Sequence, residues 1–130
     1  AVANYRHRPQ LIGVTVLTSM EQGDLRELGF TQTPEELVLA WAALAKDSGL
    51  DGVVCSAHEA QALRQSLGNE FLLVTPGIRL DVVGNNDDQR RIMTPQQALA
   101  AGSSYLVMGR PITQAVDPVA VLQQINHGVL

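Results

Sequence analysis

Aromatic residues make up only 4% of this 130-residue chain: one Trp, two Tyr and two Phe. With rings so scarce and Ala, Val and Leu abundant, buried parallel strands flanked by helices suit the composition better than a β-sandwich. Cysteine is scarcer still. Cys55 stands alone, so no internal disulfide can form, and with no signal peptide visible a cytoplasmic setting is the expectation. Positive charge is in deficit, nine Lys and Arg against thirteen Asp and Glu for a net charge of −4. That balance argues against general nucleic-acid binding, and the adjacent Arg90 and Arg91 are read as a solvated pair. No run is long and apolar enough to span a bilayer, so no membrane partner is expected. Lysine is almost missing, with Lys46 its only example.

What is present is enough for one compact domain, 45% hydrophobic by residue. The chain begins at Ala1, and residues 1–10, with Tyr5, Arg6, His7 and Arg8, read as a connecting loop. Either the chain was processed or it is the later part of something longer.

Two short stretches stand out. Thr75-Pro76-Gly77-Ile78-Arg79 and Met108-Gly109-Arg110-Pro111 each follow a short apolar run, and each combines Gly with Arg. A phosphate dianion needs backbone donors that approach closely and a planar cation that bonds two oxygens at once. Glycine permits the first and arginine supplies the second. Two such corners, close in the fold, make one phosphate clamp.

A strand–helix pattern recurs four times. Strands are predicted at 11–17, 52–55, 72–75 and 105–108, all short and largely apolar on both faces. Helix starts are marked by Thr33-Pro34-Glu35-Glu36, Ser56-Ala57-His58-Glu59 and Thr94-Pro95-Gln96-Gln97, which are capping boxes, and by Asp117-Pro118. The helix at 34–48 is expected to bury Leu37, Ala40, Trp41 and Leu44, and the helix at 57–67 Ala60, Leu63 and Leu67. The last helix is placed at 119–126.

Such repetition implies parallel strands with right-handed crossovers, in an open doubly wound sheet or an eight-fold barrel. The barrel is favoured: Thr18, Ser19, Arg79 and Arg110 all follow strand C-terminal ends, where barrel sites are built. The expected fold is therefore an α/β TIM (β/α)8 barrel, with residues 1–130 as the C-terminal half of one domain and about its last four βα units. A full barrel takes roughly 250 residues. The corners then occupy the loops after the seventh and eighth strands, with 111–115 as a short extra helix.

Here the chain resembles the orotidine 5′-phosphate decarboxylase family. The resemblance covers essentially the whole chain. It rests on Val14-Thr15-Val16-Leu17-Thr18-Ser19-Met20, Asp51-Gly52-Val53-Val54-Cys55-Ser56, Thr75-Pro76-Gly77-Ile78-Arg79, Asp88-Gln89-Arg90-Arg91-Ile92-Met93-Thr94-Pro95 and Met108-Gly109-Arg110-Pro111-Ile112-Thr113. Their order and spacing together are specific. The resemblance implies cofactor-free decarboxylation of orotidine 5′-monophosphate to uridine 5′-monophosphate (UMP), the last step of pyrimidine nucleotide synthesis, by a homodimer. It makes Gly109 and Arg110 phosphate ligands, Gln89 a bridge between phosphate and pyrimidine, and Arg79 a further substrate contact. Thr18, with Ser19 beside it, takes the position that hydrogen-bonds the pyrimidine ring. The family's catalytic Asp-x-Lys-x-x-Asp run is absent from this chain. Lys46 is read as a solvated helix-end residue with no pocket, so no catalytic residue is assigned here and the proton donor is expected upstream.

The polar segment 80–88 reads as a lid hinged between Arg79 and Gln89. Taken singly, Gly77 and Gly109 could be turn glycines, Arg79 and Arg110 surface ion pairs, and Thr18 and Ser19 caps for a short helix at 21–28. His7, His58 and His127 lack ligand spacing, so no metal site is assigned. Cys55 has no activating base in view. The competing functions are a related sugar-phosphate decarboxylase or aldolase barrel, and a non-catalytic nucleotide-binding half-barrel. Alone, such a half exposes strand edges and is expected to dimerise, aggregate or need its other half.

Overall fold

Each long helix begins where side chains satisfy its first amides. Thr33 Oγ1 accepts from the Glu36 amide at 3.2 Å while the Glu36 carboxylate accepts from the Thr33 amide at 2.7 Å. Thr94 and Gln97 repeat the exchange at 3.3 and 3.0 Å, and Pro34 and Pro95 occupy the first turns, where no amide is needed. Asp117 accepts from the Ala120 amide at 3.0 Å.

The computed structural model describes residues 7–80 and 93–129. In order these form β1 (Ile12–Val14), α1 (Gln22–Glu27), α2 (Pro34–Asp47), β2 (Gly52–Val54), α3 (Ala60–Leu67), β3 (Leu72–Thr75), α4 (Pro95–Ala101), β4 (Tyr105–Leu106), α5 (Arg110–Thr113) and α6 (Pro118–Val129). Gln89 and the expected lid beyond Leu80 lie outside the described residues.

All strand pairs are parallel and the order is β1-β2-β3-β4. An unbroken order is what a barrel requires; a doubly wound sheet reverses direction at a switch point. Val53, Cys55 and Leu73 pack with Leu37, Val38 and Ala42 of α2 and with Ala60, Leu63 and Leu67 of α3 in the main core. Residues one step along each strand point the other way. Val14, Val54, Val74 and Tyr105 stand in one register row, and Val14 and Tyr105 are 62% and 54% exposed. In a closed barrel this row lines the interior.

Several expectations need correction. β1 stops at Val14 rather than 17: its register with β2 ends at Val14 opposite Val54, and Leu17 already belongs to the turn that bonds the Met20 amide. The Thr15 amide still reaches Val54 O at 3.2 Å. β2 and β4 are likewise shorter than expected, although the Cys55 and Val107 amides each make one more bond, to Val74 O and Thr75 O. α2 buries Leu37, Val38 and Ala42, while Ala40 and Leu44 are exposed and Trp41 is half-buried against Phe30, edge to face at 5.7 Å. α2 packs against β2 and α3, and Leu44, two turns beyond Leu37 near the helix end, is exposed. Ala57–Glu59 is a 3₁₀ turn ahead of α3. The extra helix is the single turn α5, and α6 outruns its expected span at both ends. Lys46 is not simply solvated: its Nζ donates to Leu67 O at 2.7 Å, and it lines a hollow of about 440 Å³ with Gln10, Asp51, Phe71 and Leu72. That hollow opens beside the N-terminal ends of β2 and β3, away from the strand exits.

The same end holds two stabilising features. A Cβ at Gly52 would lie 2.3 Å from Leu72 O, so only glycine fits where β2 meets β3. Asp51 accepts from Arg8 Nη1 at 2.7 Å and from the Leu11 amide at 2.6 Å, tying the segment before β1 to the start of β2. Arg8, then the Leu11 amide, hold the Asp51 carboxyl below its ordinary value.

Gly52→Ala is expected to destabilise the protein by about 1–3 kcal/mol, read from urea unfolding midpoints. Because the folded pKa of Asp51 is depressed, its contribution is full above the ordinary carboxylate value and lost as pH falls through the folded value. Unfolding midpoints followed from about pH 5 to about pH 2 should fall less steeply in Asp51→Asn than in the wild type.

Candidate functional site

Parallel strands in unbroken order send all four exits to the same edge of the sheet. After β1 the chain turns with the Met20 amide bonded to Leu17 O at 3.0 Å; Thr18 is buried and Ser19 exposed. Neither starts α1: that role falls to Glu21, whose amide donates to the Asp24 carboxylate at 2.7 Å. After β2, Ser56 is fully buried; its amide donates to Glu59 Oε2 at 2.8 Å and its hydroxyl accepts from the His58 amide at 3.3 Å. The capping role expected of Ser56 is the one it has.

The third exit carries the first Gly–Arg corner. Gly77 has φ +80°, a conformation other residues rarely adopt. Ile78, fully buried, forms a parallel bridge with Met93, and the Arg79 amide donates to Met93 O at 3.0 Å. Arg79 and Met93 therefore lie side by side. Arg79 is half-buried, its Nη1 donating to Ile78 O at 3.1 Å. The fourth exit carries the second corner. Gly109 precedes α5, and its carbonyl accepts from the Ile112 and Thr113 amides at 2.9 and 3.0 Å. A Cβ at Gly109 would meet nothing within 4 Å. The fold itself therefore leaves room for a side chain here. Gly109 and Arg110 are exposed.

A small apolar cluster seats both corners: Ala57, Ile78 and Ala98, with Met93, Leu106 and Met108 against them. The corners are thus close neighbours, one strand spacing of about 4.8 Å apart at their roots. The β1 exit, with Thr18 and Ser19, lies three strand spacings from the β4 exit. Gln89 is outside the described residues. Among those residues, no cluster of three His, Cys, Asp or Glu side chains could hold a metal ion, and no helix is long and apolar enough to cross a membrane. Behind the two corners the buried hydroxyls of Thr75 and Ser103 lie 2.9 Å apart, a pairing that no motif marks. Their only signal in the sequence was hydroxyl residues at one strand's end and another's start.

Comparison with known proteins agrees with this geometry. A family model described as orotidine 5′-phosphate decarboxylase / HUMPS family matches residues 1–125. The orotidine 5′-phosphate decarboxylase of Neisseria meningitidis serogroup C is 71% identical over 127 residues, 98% of this chain and 52% of that protein. That of Chromobacterium violaceum is 62% identical over 130 residues, 99% and 52%. The crystal structure of the Lactobacillus acidophilus enzyme superposes with a TM-score of 0.80 at 41% identity, covering 98% of this chain and 51% of that one. The Pyrococcus horikoshii structure, at 18% identity and a TM-score of 0.65, shares the fold. The chain spans about half the length of the curated relatives it matches. Its four βα units are about half of a TIM barrel, and the chain belongs to the orotidine 5′-phosphate decarboxylase / HUMPS family.

Proposed function

We propose that the polypeptide containing this chain converts orotidine 5′-monophosphate to UMP in the cytoplasm, as a homodimer and without a cofactor. This chain is its C-terminal half-barrel, the half that binds phosphate and reads the base. The observation that carries the reading is the pair of Gly–Arg corners leaving neighbouring parallel strands at one edge. The 62–71% identity to proteins named orotidine 5′-phosphate decarboxylase favours the nucleotide over a sugar phosphate.

In this reading Arg110 and the Gly109 backbone take the phosphate, Arg79 adds a second cation, and Gln89 bridges phosphate and pyrimidine. Thr18 and Ser19 hydrogen-bond the ring. The bond between the ring carbon and its carboxylate breaks, carbon dioxide leaves, and the electron pair stays on the ring carbon until a proton arrives. No side chain of this chain is assigned as that donor; the upstream half supplies it. The part played here is remote binding. Each charge-assisted hydrogen bond to the phosphate contributes roughly 1.5–3 kcal/mol that can be spent at the reacting ring.

Arg110→Ala, made in the full-length polypeptide, should lower kcat/KM for the nucleotide at least about a hundredfold yet scarcely change turnover of orotidine, which lacks the phosphate. Equal losses on both substrates in steady-state assays would remove Arg110 from the clamp. The two glycines should separate as well. Gly77→Ala is expected to cost about 1 kcal/mol of stability through its positive φ, whereas Gly109→Ala keeps the wild-type Tm but weakens UMP binding by calorimetry.

A further inference from the structure

We infer that Thr75 is a positioning residue for the phosphate clamp, its buried hydroxyl setting how β4, and with it the Gly109–Arg110 corner, stands against the Gly77–Arg79 corner. The inference rests on the reading of those corners as phosphate ligands. β4 has only two residues in register with β3, Tyr105 opposite Val74 and Leu106 opposite Thr75. So narrow a pair needs other ties. Thr75 supplies them from both its side chain and its backbone. Its Oγ1 lies 2.9 Å from Ser103 Oγ and 3.3 Å from Tyr105 O, and its carbonyl accepts from the Val107 amide at 2.9 Å.

Thr75 is fully buried and Ser103 nearly so, which leaves no water to replace a lost partner. Thr75 is also the last residue of β3, two positions before Gly77, while Val107 is two positions before Gly109. A shift of β4 at this point therefore passes directly into the clamp. Valine would keep the shape of the side chain but take from Ser103 Oγ its Thr75 partner, and serine would keep the hydroxyl.

The test uses the full-length polypeptide with UMP and uridine as calorimetric probes. Thr75→Val is expected to weaken UMP about tenfold and leave uridine, which has no phosphate, unchanged; Thr75→Ser should restore UMP binding. Equal weakening of both ligands, or a lowered Tm with unchanged UMP affinity, overturns the inference. Should Thr75→Val fail to fold, Ser103→Ala removes the same tie from β4's side and is read against the same outcomes. Arg110→Ala, run in parallel, separates the two layers. If it weakens UMP and Thr75→Val does not, the positioning role falls and the clamp stands. If Arg110→Ala changes nothing, the clamp reading falls and the role of Thr75 with it.

Discussion

The junction between β3 and β4 is the constraint on which the site depends. Parallel strands are commonly five or six residues long, and β4 pairs over two. What backbone pairing lacks is made up by side chains around the residues that lead into β4. Thr75 bonds Ser103. Beside it, Arg64 donates to Ser104 Oγ at 2.7 Å and to the carbonyls of Gly102, Gly68, Asn69 and Phe71, while Ser104 Oγ accepts from the Leu73 amide at 3.0 Å. One guanidinium thus ties the ends of α3 and α4 to the starts of β3 and β4. A cation bonding several carbonyls makes stronger bonds than neutral donors do.

The two ends of the sheet are built for different work. The N-terminal end concentrates ties that hold the chain to itself: Arg64 with its five acceptors, Asp51 between Arg8 and the Leu11 amide, Lys46 on Leu67 O, and Gly52 pressed against Leu72. The C-terminal end presents a positive-φ glycine, a second glycine with open space before it, and two arginines, over a small apolar cluster. Barrel enzymes generally build their sites at the C-terminal ends of the strands. The exposed row from Val14 to Tyr105 belongs to neither end. It is an interior face, and the remaining strands of a barrel would cover it.

Local chemistry was readable in advance. Thr33, Ser56, Thr94 and Asp117 start their helices as hydroxyl and carboxylate caps should, because capping involves residues within three positions of one another. Strand lengths and the α2 stripe were less legible. An apolar run such as 11–17 reads as one strand, but how far it stays in the ladder depends on where its partner β2 ends, far along the chain. Ala40 and Leu44 have the right spacing for a core face, but the neighbours that decide which face is inside are β2 and α3, far along the chain.

The site divides in the same way. The sequence alone determined the kinds of group at each strand exit, since Gly, Arg and hydroxyl residues carry their chemistry wherever they are placed, and it determined the strand–helix repetition that sends those exits to one edge. Only the tertiary structure decided that Arg79 and Arg110 follow adjacent strands, that Thr18 is buried while Ser19 is open, and that Thr75 reaches Ser103. Those outcomes depend on strand order and register, which come from packing between residues tens of positions apart, and no local pattern encodes them.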